Sequence, residues 1–447
     1  MTAGTDQSPP PASPPRPSGL VMNPFRALRF DPAVAGELRS LTCPPYDVLD
    51  AEAVTALESR SDHNVVRLIL PRDGVVADAD RYAGAAATLL AWREAGVLAP
   101  DPAPALYVYE QAAPGGHVQR GLLGALALSP DTDGIVLPHE STMAGPVTDR
   151  LALYLAVGAD LEPIFLVYDG GGAASRVVAS AGGDGSGAEL LVDTVLADGL
   201  RHRLWALTDP QVLAEIAADL LPRTALIADG HHRYATYLAR QRLRHEAGDG
   251  EGPWDAGLCL LVDATSFGPQ VHPIHRYVPD IAAGELAAKA GAGTVVRRLD
   301  RDPDPGLAGA LAELARAGAH GPAFLLASGD GGELYLVSEP DPAQLAAAVP
   351  AGRSAAWAGL DVSVLHAFVV AVLWRLPDDV EHLGYEHDVE GVLAAARRSQ
   401  GTAILLNPTP VEAVATVAGA GERMPRKSTL FTPKPASGLV LRDHRDV

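Results

Sequence analysis

The stretch Thr224–Glu246, TALIADGHHRYATYLARQRLRHE, constrains the fold more than any other part of the sequence. An apolar run, Thr224–Ala228, predicts a buried strand, and the spacing of Tyr234, Tyr237 and Leu238 predicts one face of a helix that follows directly. The residues between them are polar or small, which predicts a tight turn. In a strand–turn–helix arrangement, the free backbone N–H groups of the first helical turn point at whatever lies above the turn.

The turn in this stretch has a clear chemical bias, because it consists of Asp229, Gly230, His231, His232 and Arg233. A helix N-terminus beside two imidazoles and a guanidinium is a favourable site for an anion. The simpler interpretation is that Asp229 caps the helix and the histidines are ordinary surface residues. A metal site is the third interpretation. Adjacent histidines at a helix start point in different directions and chelate poorly, so we assign no metal ligand.

Charge and cysteine content narrow the class of protein. The chain has 447 residues, enough for two or three domains. Its formal net charge of −20 argues against a general nucleic-acid-binding protein. The two cysteines, Cys43 and Cys259, belong to no disulfide or metal-binding motif, which indicates a reducing compartment. We find neither a signal-peptide core nor an apolar run of membrane-spanning length. These observations predict a soluble cytoplasmic protein without a membrane partner.

Composition divides the chain into three predicted segments. Residues 1–20 are rich in proline and serine and predict a disordered tail. Residues 21–280 predict an α/β region, and residues 281–447 predict an α+β region. Within the first region we expect a strand at Asn64–Pro71 and a surface loop at the glycine-rich segment Gly170–Gly187.

Two further pairs of candidate residues lie in a proline-fixed loop and at a strand end. Two prolines restrict the backbone before Tyr46 and Asp47. This leaves open a rigid connector before a predicted helix, Ala51–Arg60, or a loop that lines a site. His139 and Glu140 follow an apolar run and lie at the end of a predicted strand. A glutamate in that position is a candidate general base, and the alternative is a surface glutamate paired with a nearby cation.

Two basic segments of the later chain also suit an anion. His275 and Arg276 lie in a second His/Arg cluster, and Arg423, Lys427 and Ser428 lie in the compact turn GERMPRKST. A Lys-Ser pair is typical of the end of a phosphate-binding P-loop, but the residue before this lysine is arginine where the motif requires glycine. The P-loop interpretation therefore fails. The turn still suits an anion, or a carboxylate buried at a domain joint, and we expect it to fold back on the core.

The chain resembles a bacterial family known as domain of unknown function 1015. The matching segments run from about Asn23 to the C-terminus and comprise PFRAL, CPPYDV, HEST, ADGHHRYAT, PIHR, LDVSVLH and GERMPRKST. In combination these segments are highly specific. The family resemblance by itself implies no activity.

A more distant similarity concerns the order of four segments. The chain resembles the free serine kinases of the ParB-like and sulfiredoxin-like superfamily, through Pro138-His139-Glu140, a helix from Asp149, a strand from Glu162-Pro163, and Asp229–Arg233. Sulfiredoxin itself is disfavoured, because it requires a cysteine in this turn and the turn contains none.

The similarity to the serine kinases implies a fold and a set of roles. The implied fold is α/β with a mixed sheet, built as a ParB-like core inside a larger multi-segment chain. Glu140 would deprotonate the acceptor, His139 and His231 would assist it, and Asp229–Arg233 would hold the nucleotide phosphates. Residues 169–223 would be an insertion relative to those kinases.

The predicted function is phosphoryl transfer from a nucleotide, ADP or ATP with Mg²⁺, to a small hydroxylated metabolite. One alternative is a ParB-like nucleotide-binding module that regulates without catalysis. Another is a metal-assisted hydrolase that uses the histidine cluster. The acceptor, the identity of the nucleotide and the oligomeric state stay open.

A substitution at Arg233 distinguishes the phosphate-binding interpretation of the turn from the structural one. If it faces a solvated pocket and contacts phosphate, Arg233→Lys weakens nucleotide binding and hardly changes stability. If it pairs with a carboxylate such as Asp229 or Asp263, the same substitution lowers stability instead.

Overall fold

The computed structural model describes residues 16–74, 80–183, 185–379 and 381–446. The chain forms two units. The first contains the described residues up to Leu137, Thr142–Pro269, and those from Pro433 onward; the second contains Pro138–Ser141 and Gln270–Thr432. The boundary between the two predicted regions, placed at residue 280, is therefore observed after Pro269, and the last segment of the chain returns to the first unit.

Most of the predicted N-terminal tail lies outside the described residues. The end of that segment is described, and Leu20 is fully buried in the hydrophobic core of the first unit. The tail predicted over residues 1–20 therefore extends too far along the chain, because the apolar side chain that ends it packs in the core.

A mixed sheet forms the centre of the first unit. Among the described residues it has nine strands, with Met22–Asn23 pairing beside one of them. The other eight lie in the order Val136–Leu137, Ala225–Asp229, Ile164–Tyr168, Ala256–Asp263, Val118–Ala127, Leu106–Ala112, Arg201–Leu207 and Glu189–Val195. The pairs Ala225–Asp229 with Val136–Leu137 and Ala256–Asp263 with Ile164–Tyr168 are parallel, and the remaining pairs are antiparallel. The predicted α/β class with a mixed sheet is confirmed.

Burial along the strands follows their position in this sheet. Every residue of Ile164–Tyr168 and of Ala256–Asp263 is buried, whereas the edge strand Glu189–Val195 is largely exposed. Strands covered on both faces need near-continuous apolar sequences, which these two central segments have.

The helices of the first unit cover the sheet. The α-helices are Pro32–Ala35, Leu38–Leu41, Ala51–Arg60, Val66–Ile69, Arg81–Glu94, Ala144–Val157, Ala173–Ser180, Pro210–Leu220 and His231–Glu246, and the 3₁₀ turns are Tyr46–Val48, Asp131–Asp133, Pro253–Asp255 and His444–Asp446. Two small antiparallel pairs join Leu28–Phe30 to Leu98–Pro100 and Ala159–Asp160 to Arg442–Asp443.

The His231–Glu246 helix packs closely on its neighbours. Its Tyr237 stacks on Tyr154 of the adjacent helix, with ring centroids 5.6 Å apart. A Cβ atom at Gly257 would lie 2.3 Å from the Tyr237 ring, so the strand beneath the helix requires glycine at this point. These contacts fix the start of the helix relative to the sheet.

The second unit is a six-stranded antiparallel sheet among the described residues. Its strands lie in the order Val295–Leu299, Leu334–Ser338, Ala323–Ser328, Thr402–Leu406, His275–Val278 and Gly384–Glu386, and a separate pair joins Gln270–His272 to Leu430–Thr432. Its helices are Ala283–Ala290, Ala308–Gly318, Pro342–Ala348, Ala355–Ala358, Asp361–Val364, the π-helical Leu365–Trp374, Val389–Arg398 and Val411–Gly419. Phe324 and Leu326 pack in one core, and Leu325 and Ala327 in another, so both faces of the sheet are covered.

Two predicted elements of the first unit are wrong. The expected strand Asn64–Pro71 contains the short helix Val66–Ile69, because the Asn64 side chain accepts the Val66 N–H at 3.0 Å and starts a helical turn. The expected loop Gly170–Gly187 contains the helix Ala173–Ser180. Its first turn is capped from a distant helix, where Asp219 accepts the Ala174 N–H at 2.9 Å.

Candidate functional site

The predicted strand, turn and helix are confirmed as Ala225–Asp229, Gly230 and His231–Glu246. Gly230 is the N-cap residue, with φ of +93°, a left-handed conformation that favours glycine. Asp229 lies one residue too early to be the N-cap. The first-turn N–H groups of this sixteen-residue helix therefore have no side-chain cap from residue 230.

Arg233 lies beneath this turn and is 1% exposed. Its guanidinium donates to the Asp229 carboxylate and to the Pro163 carbonyl oxygen. The expectation that Arg233 faces a solvated pocket is wrong, because these oxygens hold it in the interior. Its Nε atom is buried and has no hydrogen-bond partner among the described residues. A Cβ atom at Gly230 would lie 3.1 Å from that Nε, so the guanidinium supports the turn from below.

Lys434 joins the turn to the proline-fixed loop of the first unit. Its ammonium contacts Asp229 Oδ1 at 2.6 Å and Asp47 Oδ2 at 3.0 Å. Burial alone would lower the pKa of Lys434, but the two carboxylates raise it overall. The sequence analysis missed Lys434. Its signal was a lysine between Pro433 and Pro435, whose fixed backbone angles aim the side chain.

A buried carboxylate, Glu162, lies on the other side of the same loop. Its Oε1 accepts the Tyr46 N–H at 3.0 Å and the Ser437 hydroxyl at 2.9 Å, while Oε2 has no hydrogen-bond partner among the described residues. Burial raises the pKa of Glu162 against the opposing effect of Arg233 and Arg150. The sequence marks Glu162 only by its place in the motif order, which does not predict that the side chain is buried.

The structure therefore brings two predicted segments together in the first unit. Tyr46 is tied through its amide to Glu162, and its ring lies 4.6 Å from the Arg150 guanidinium carbon. Burial raises the pKa of Tyr46 to about 12. Asp47 reaches Asp229 through Lys434. The CPPYDV loop is thus part of the surroundings of the turn.

The two histidines of the turn differ in their surroundings. His231 is 8% exposed. His232 accepts the Met143 N–H through Nε2 at 3.0 Å. An imidazole nitrogen that accepts a hydrogen bond carries no proton, so this contact requires His232 to be neutral with its proton on Nδ1.

His139 and Glu140 belong to the second unit, where they contact the GERMPRKST turn. The His139 carbonyl accepts the Met424 N–H at 2.8 Å, and its Nε2 lies 2.9 Å from the Thr429 hydroxyl. The Ser428 N–H donates to Glu140 Oε1 at 3.3 Å. Two predicted segments that lie far apart in the sequence are therefore adjacent in this unit.

Arg276 holds the same turn from inside the second unit. It is fully buried, and it donates to the carbonyl oxygens of Arg426 at 3.2 Å and Lys427 at 2.8 Å and to His366 Nε2 at 3.3 Å. Burial lowers the pKa of Arg276 to about 10. The prediction that Arg276 contacts an anion is wrong, because its buried guanidinium donates to backbone carbonyl oxygens.

The remaining predicted residues have different environments. His275 is buried, its Nδ1 accepts the Leu406 N–H at 3.2 Å, and burial lowers its pKa to about 4, so its role is to join two strands. Lys427 is exposed, with φ of +57°, an unusual backbone conformation for a non-glycine residue. The Arg423 carbonyl accepts the Trp357 indole N–H at 3.0 Å.

In the described part of the chain, no group of three or more His, Cys, Asp and Glu side chains is arranged to hold a metal ion. None of the helices in the described ranges has the length and apolar character that a bilayer span requires.

The fold and the turn define a mixed α/β protein whose long helix begins at a left-handed glycine above a buried arginine. The chain belongs to the family described as protein of unknown function (DUF1015), whose profile matches residues 22–363. This confirms the predicted family; the GERMPRKST segment lies beyond the matched residues. No curated protein matches the chain.

Several solved structures are distantly similar to the chain. A free serine kinase variant in complex with AMP shares 13% identity at a TM-score of 0.35, over 70% of this chain and 91% of that one. A conserved hypothetical protein from Pyrococcus furiosus shares 14% identity at a TM-score of 0.32, over 70% and 94%. C-terminally truncated SbnI from Staphylococcus aureus shares 10% identity at a TM-score of 0.34, over 72% and 87%. The ParB-like core stays a prediction.

Proposed function

We propose that the chain binds a nucleotide at Asp229–Arg233 and transfers a phosphoryl group from it to a small hydroxylated metabolite. The observation that carries this proposal is the turn itself. Gly230 contributes no side-chain cap at the start of the sixteen-residue His231–Glu246 helix, and the proposal assigns phosphate oxygens as acceptors for the first-turn N–H groups.

Buried ion pairs hold the turn in place. Arg233 lies beneath Gly230 and Lys434 lies beside Asp229, at the strand end that carries the turn. Asp229 and Asp47 balance the formal charge of these two cations and fix the position of both. In this proposal Arg233 acts by positioning the turn, and the backbone N–H groups and His231 meet the phosphates.

The proposed reaction is a single displacement. The acceptor hydroxyl oxygen forms a bond to the terminal phosphorus of the nucleotide, the bond from that phosphorus to its bridging oxygen breaks, and the nucleotide leaves with one phosphate fewer. Glu140 takes the hydroxyl proton, as the motif resemblance implies. The nucleotide would bind as its Mg²⁺ complex, in which the metal would neutralise charge on the phosphate oxygens.

A pair of glycine substitutions tests the nucleotide site. Gly230→Ala and Gly96→Ala each place a Cβ atom at a positive φ, of +93° and +72°, at a cost of about 1–2 kcal/mol. We expect the larger loss of stability in Gly230→Ala, because its Cβ would also lie 3.1 Å from Arg233 Nε, whereas a Cβ at Gly96 meets nothing within 4 Å. Only Gly230→Ala should weaken the binding of MgADP or MgATP, by tenfold or more in calorimetric titration. Failure of the wild-type protein to bind either nucleotide, or equal binding by both variants, would show that the turn is not the site.

Glu140→Gln tests the catalytic part of the proposal. Gln keeps the shape of the side chain and can still accept a hydrogen bond, but it cannot take a proton at neutral pH. Nucleotide affinity should stay within twofold of wild type, while transfer to a panel of hydroxylated metabolites, L-serine among them, should fall at least ~10²-fold by phosphorus NMR. Retained transfer would remove Glu140 from the mechanism, and nucleotide binding without transfer by the wild type would favour the regulatory module.

A further inference from the structure

A cavity of about 460 Å³ in the first unit belongs to no site assigned so far. Its lining comes from the CPPYDV loop, the helix Ala51–Arg60, the turn between strands Glu189–Val195 and Arg201–Leu207, and the segment that carries Lys434. Most of the wall is apolar and is formed by residues such as Pro44, Pro45, Val48, Leu57, Leu196 and Pro433. A volume of this size is typical of pockets for drug-sized ligands, roughly 300–1,000 Å³.

The walls of this cavity are fixed by hydrogen bonds to the sheet. Cys43 and Ser437 exchange backbone hydrogen bonds of 3.2 and 2.9 Å. The buried amides of Gln119 and Gln111 donate to the carbonyl oxygens of Pro433 and Lys434, each at 2.9 Å. Because both sides are tied down in this way, the cavity is formed before any ligand arrives.

A buried histidine orients one carboxylate of the cavity wall. Asp198 is 39% exposed, and its oxygens lie 3.0 and 3.1 Å from Nε2 of the fully buried His202. The His202 Nδ1 lies 2.8 Å from the Tyr109 hydroxyl, which itself accepts the Ala436 N–H at 3.3 Å. Tyr109 therefore donates to Nδ1, and His202 donates from Nε2 to Asp198. Asp198 Oδ1 also accepts the Leu200 N–H at 3.0 Å, and a carboxylate has about four lone-pair sites, so acceptor capacity remains at a fixed place in the wall.

Lys434 connects the cavity to the phosphate turn. It lines the cavity, and its ammonium contacts Asp229 Oδ1, at the strand end that carries the turn, at 2.6 Å. Two carboxylates already pair with this ammonium, so the cavity does not present it as a free site for phosphate. Lys434 therefore belongs both to the cavity wall and to the surroundings of the turn.

We infer that this cavity holds the nucleoside part of the nucleotide, with the base against the proline and leucine wall and the ribose hydroxyls donating to Asp198. The inference rests on the proposed nucleotide function. A nucleoside is neutral, has a flat and largely apolar base, and carries two hydroxyl donors, which the wall and Asp198 match. A small hydroxylated metabolite would leave most of the volume empty. Arg60 and Lys434 are the cations of the lining, and the apolar residues that form most of the rest suit a base better than a phosphate group.

A substitution that fills the cavity mouth tests the binding of the nucleoside independently of the binding of the phosphates. Ala56 lines the cavity on the exposed face of its helix, so Ala56→Trp occupies the space without disturbing the core. Ala51→Trp is the matched control, because Ala51 is exposed on the same helix and does not line the cavity. The probes are the four common ribonucleoside diphosphates with Mg²⁺, and pyrophosphate, in calorimetric titration. Ala56→Trp should weaken diphosphate nucleotide binding at least tenfold and leave pyrophosphate binding unchanged, and Ala51→Trp should change neither.

The outcomes distinguish the two proposals. Unchanged nucleotide affinity in Ala56→Trp, with wild-type binding intact, overturns the nucleoside assignment and leaves the phosphate turn standing. Absence of binding of every nucleotide and of pyrophosphate to the wild type overturns the proposed function, and the nucleoside assignment with it.

Asp198→Asn tests the ribose contact. Wild type should bind the preferred nucleotide at least tenfold more tightly than its 2′,3′-dideoxy analogue, because the analogue leaves the carboxylate without its donors. Asp198→Asn should reduce this preference to less than threefold. An equal loss of affinity for both nucleotides would show that Asp198 supports the wall and does not contact the ribose.

Discussion

Arg233 lies in the first turn of the His231–Glu246 helix. Its side chain is buried and donates hydrogen bonds to oxygens from two other segments. A planar guanidinium reaches the Asp229 carboxylate and the Pro163 carbonyl at once, whereas an ammonium cannot reproduce that fork. At the scale of single residues, the positive charge under the Asp229–Arg233 turn is therefore a structural contact.

Arg233→Lys should lower the free energy of unfolding by about 1.5–3 kcal/mol, the contribution of one charge-assisted hydrogen bond. Arg242→Lys on the same helix is the control, because Arg242 is exposed. Urea denaturation of both variants measures the difference. Equal stability of the two variants would mean that Arg233 is not held as the structure shows.

At the scale of elements, Asp160 ties three segments of the first unit together. Its carboxylate contacts Arg240 of the long helix at 2.6 Å, Arg442 near the C-terminus at 2.9 Å, and the Leu258 N–H of a central strand at 3.1 Å. All of these groups are buried. Removing the charge leaves two buried guanidinium groups uncompensated.

Asp160→Asn should destabilise the protein at pH 7 by about 3–5 kcal/mol, the typical cost of breaking a buried ion pair. Asp193→Asn is the control, because Asp193 pairs with Arg201 on the surface at 2.7 Å and such pairs contribute little. Thermal or urea unfolding measures both. A change of under 1 kcal/mol in Asp160→Asn would contradict the prediction.

The same carboxylate predicts a pH dependence. Burial alone would raise the pKa of Asp160, but Arg240, His444 and Arg442 lower it overall. A carboxyl group whose pKa is lowered by folding stabilises the protein above its unfolded pKa, about 3.9, and loses that contribution as the pH falls further. The stability gap between wild type and Asp160→Asn should therefore be constant from pH 7 to 5 and narrow below about pH 4. A gap that narrows between pH 7 and 5 would assign the effect to another group.

At the scale of the whole molecule, the first unit is discontinuous in sequence. Its last segment begins at Pro433 and carries Lys434, Ser437 and Arg442, which contact the turn, Glu162 and Asp160. The first unit is therefore completed only when the end of the chain is present.

A chain that ends at Thr432 should lose the cooperative unfolding transition of the first unit and its slow hydrogen exchange. Removal of Arg445 and the residues after it is the milder control. In the described part of the chain it deletes the pairs Arg445–Asp443 and Asp446–Arg93 and leaves Lys434, Ser437 and Arg442 in place. For the same reason, limited proteolysis should not release a stable fragment that ends near residue 280. Recovery of such a fragment in folded form would contradict the assignment of the C-terminal segment to this unit.

The sequence by itself determined the elements whose signals are local. Ala51–Arg60 is predicted residue for residue, because Asp50 caps it by accepting the Ala53 N–H at 2.8 Å. The strand, glycine and helix of Thr224–Glu246 are likewise predicted, since apolar spacing and a left-handed glycine act within a few residues. The family follows from short motifs in the same way.

Only the tertiary structure decided what surrounds those elements. The helix Ala173–Ser180 depends on a cap from Asp219, and the burial of Arg233 depends on Pro163. Lys434 reaches Asp229 from the far end of the chain. Burial and charge pairing depend on which residues are close in space. The residues that are close in sequence do not predict which these are. The sequence therefore identified the turn, and the fold decided which side chains are buried beneath it and hold it in place.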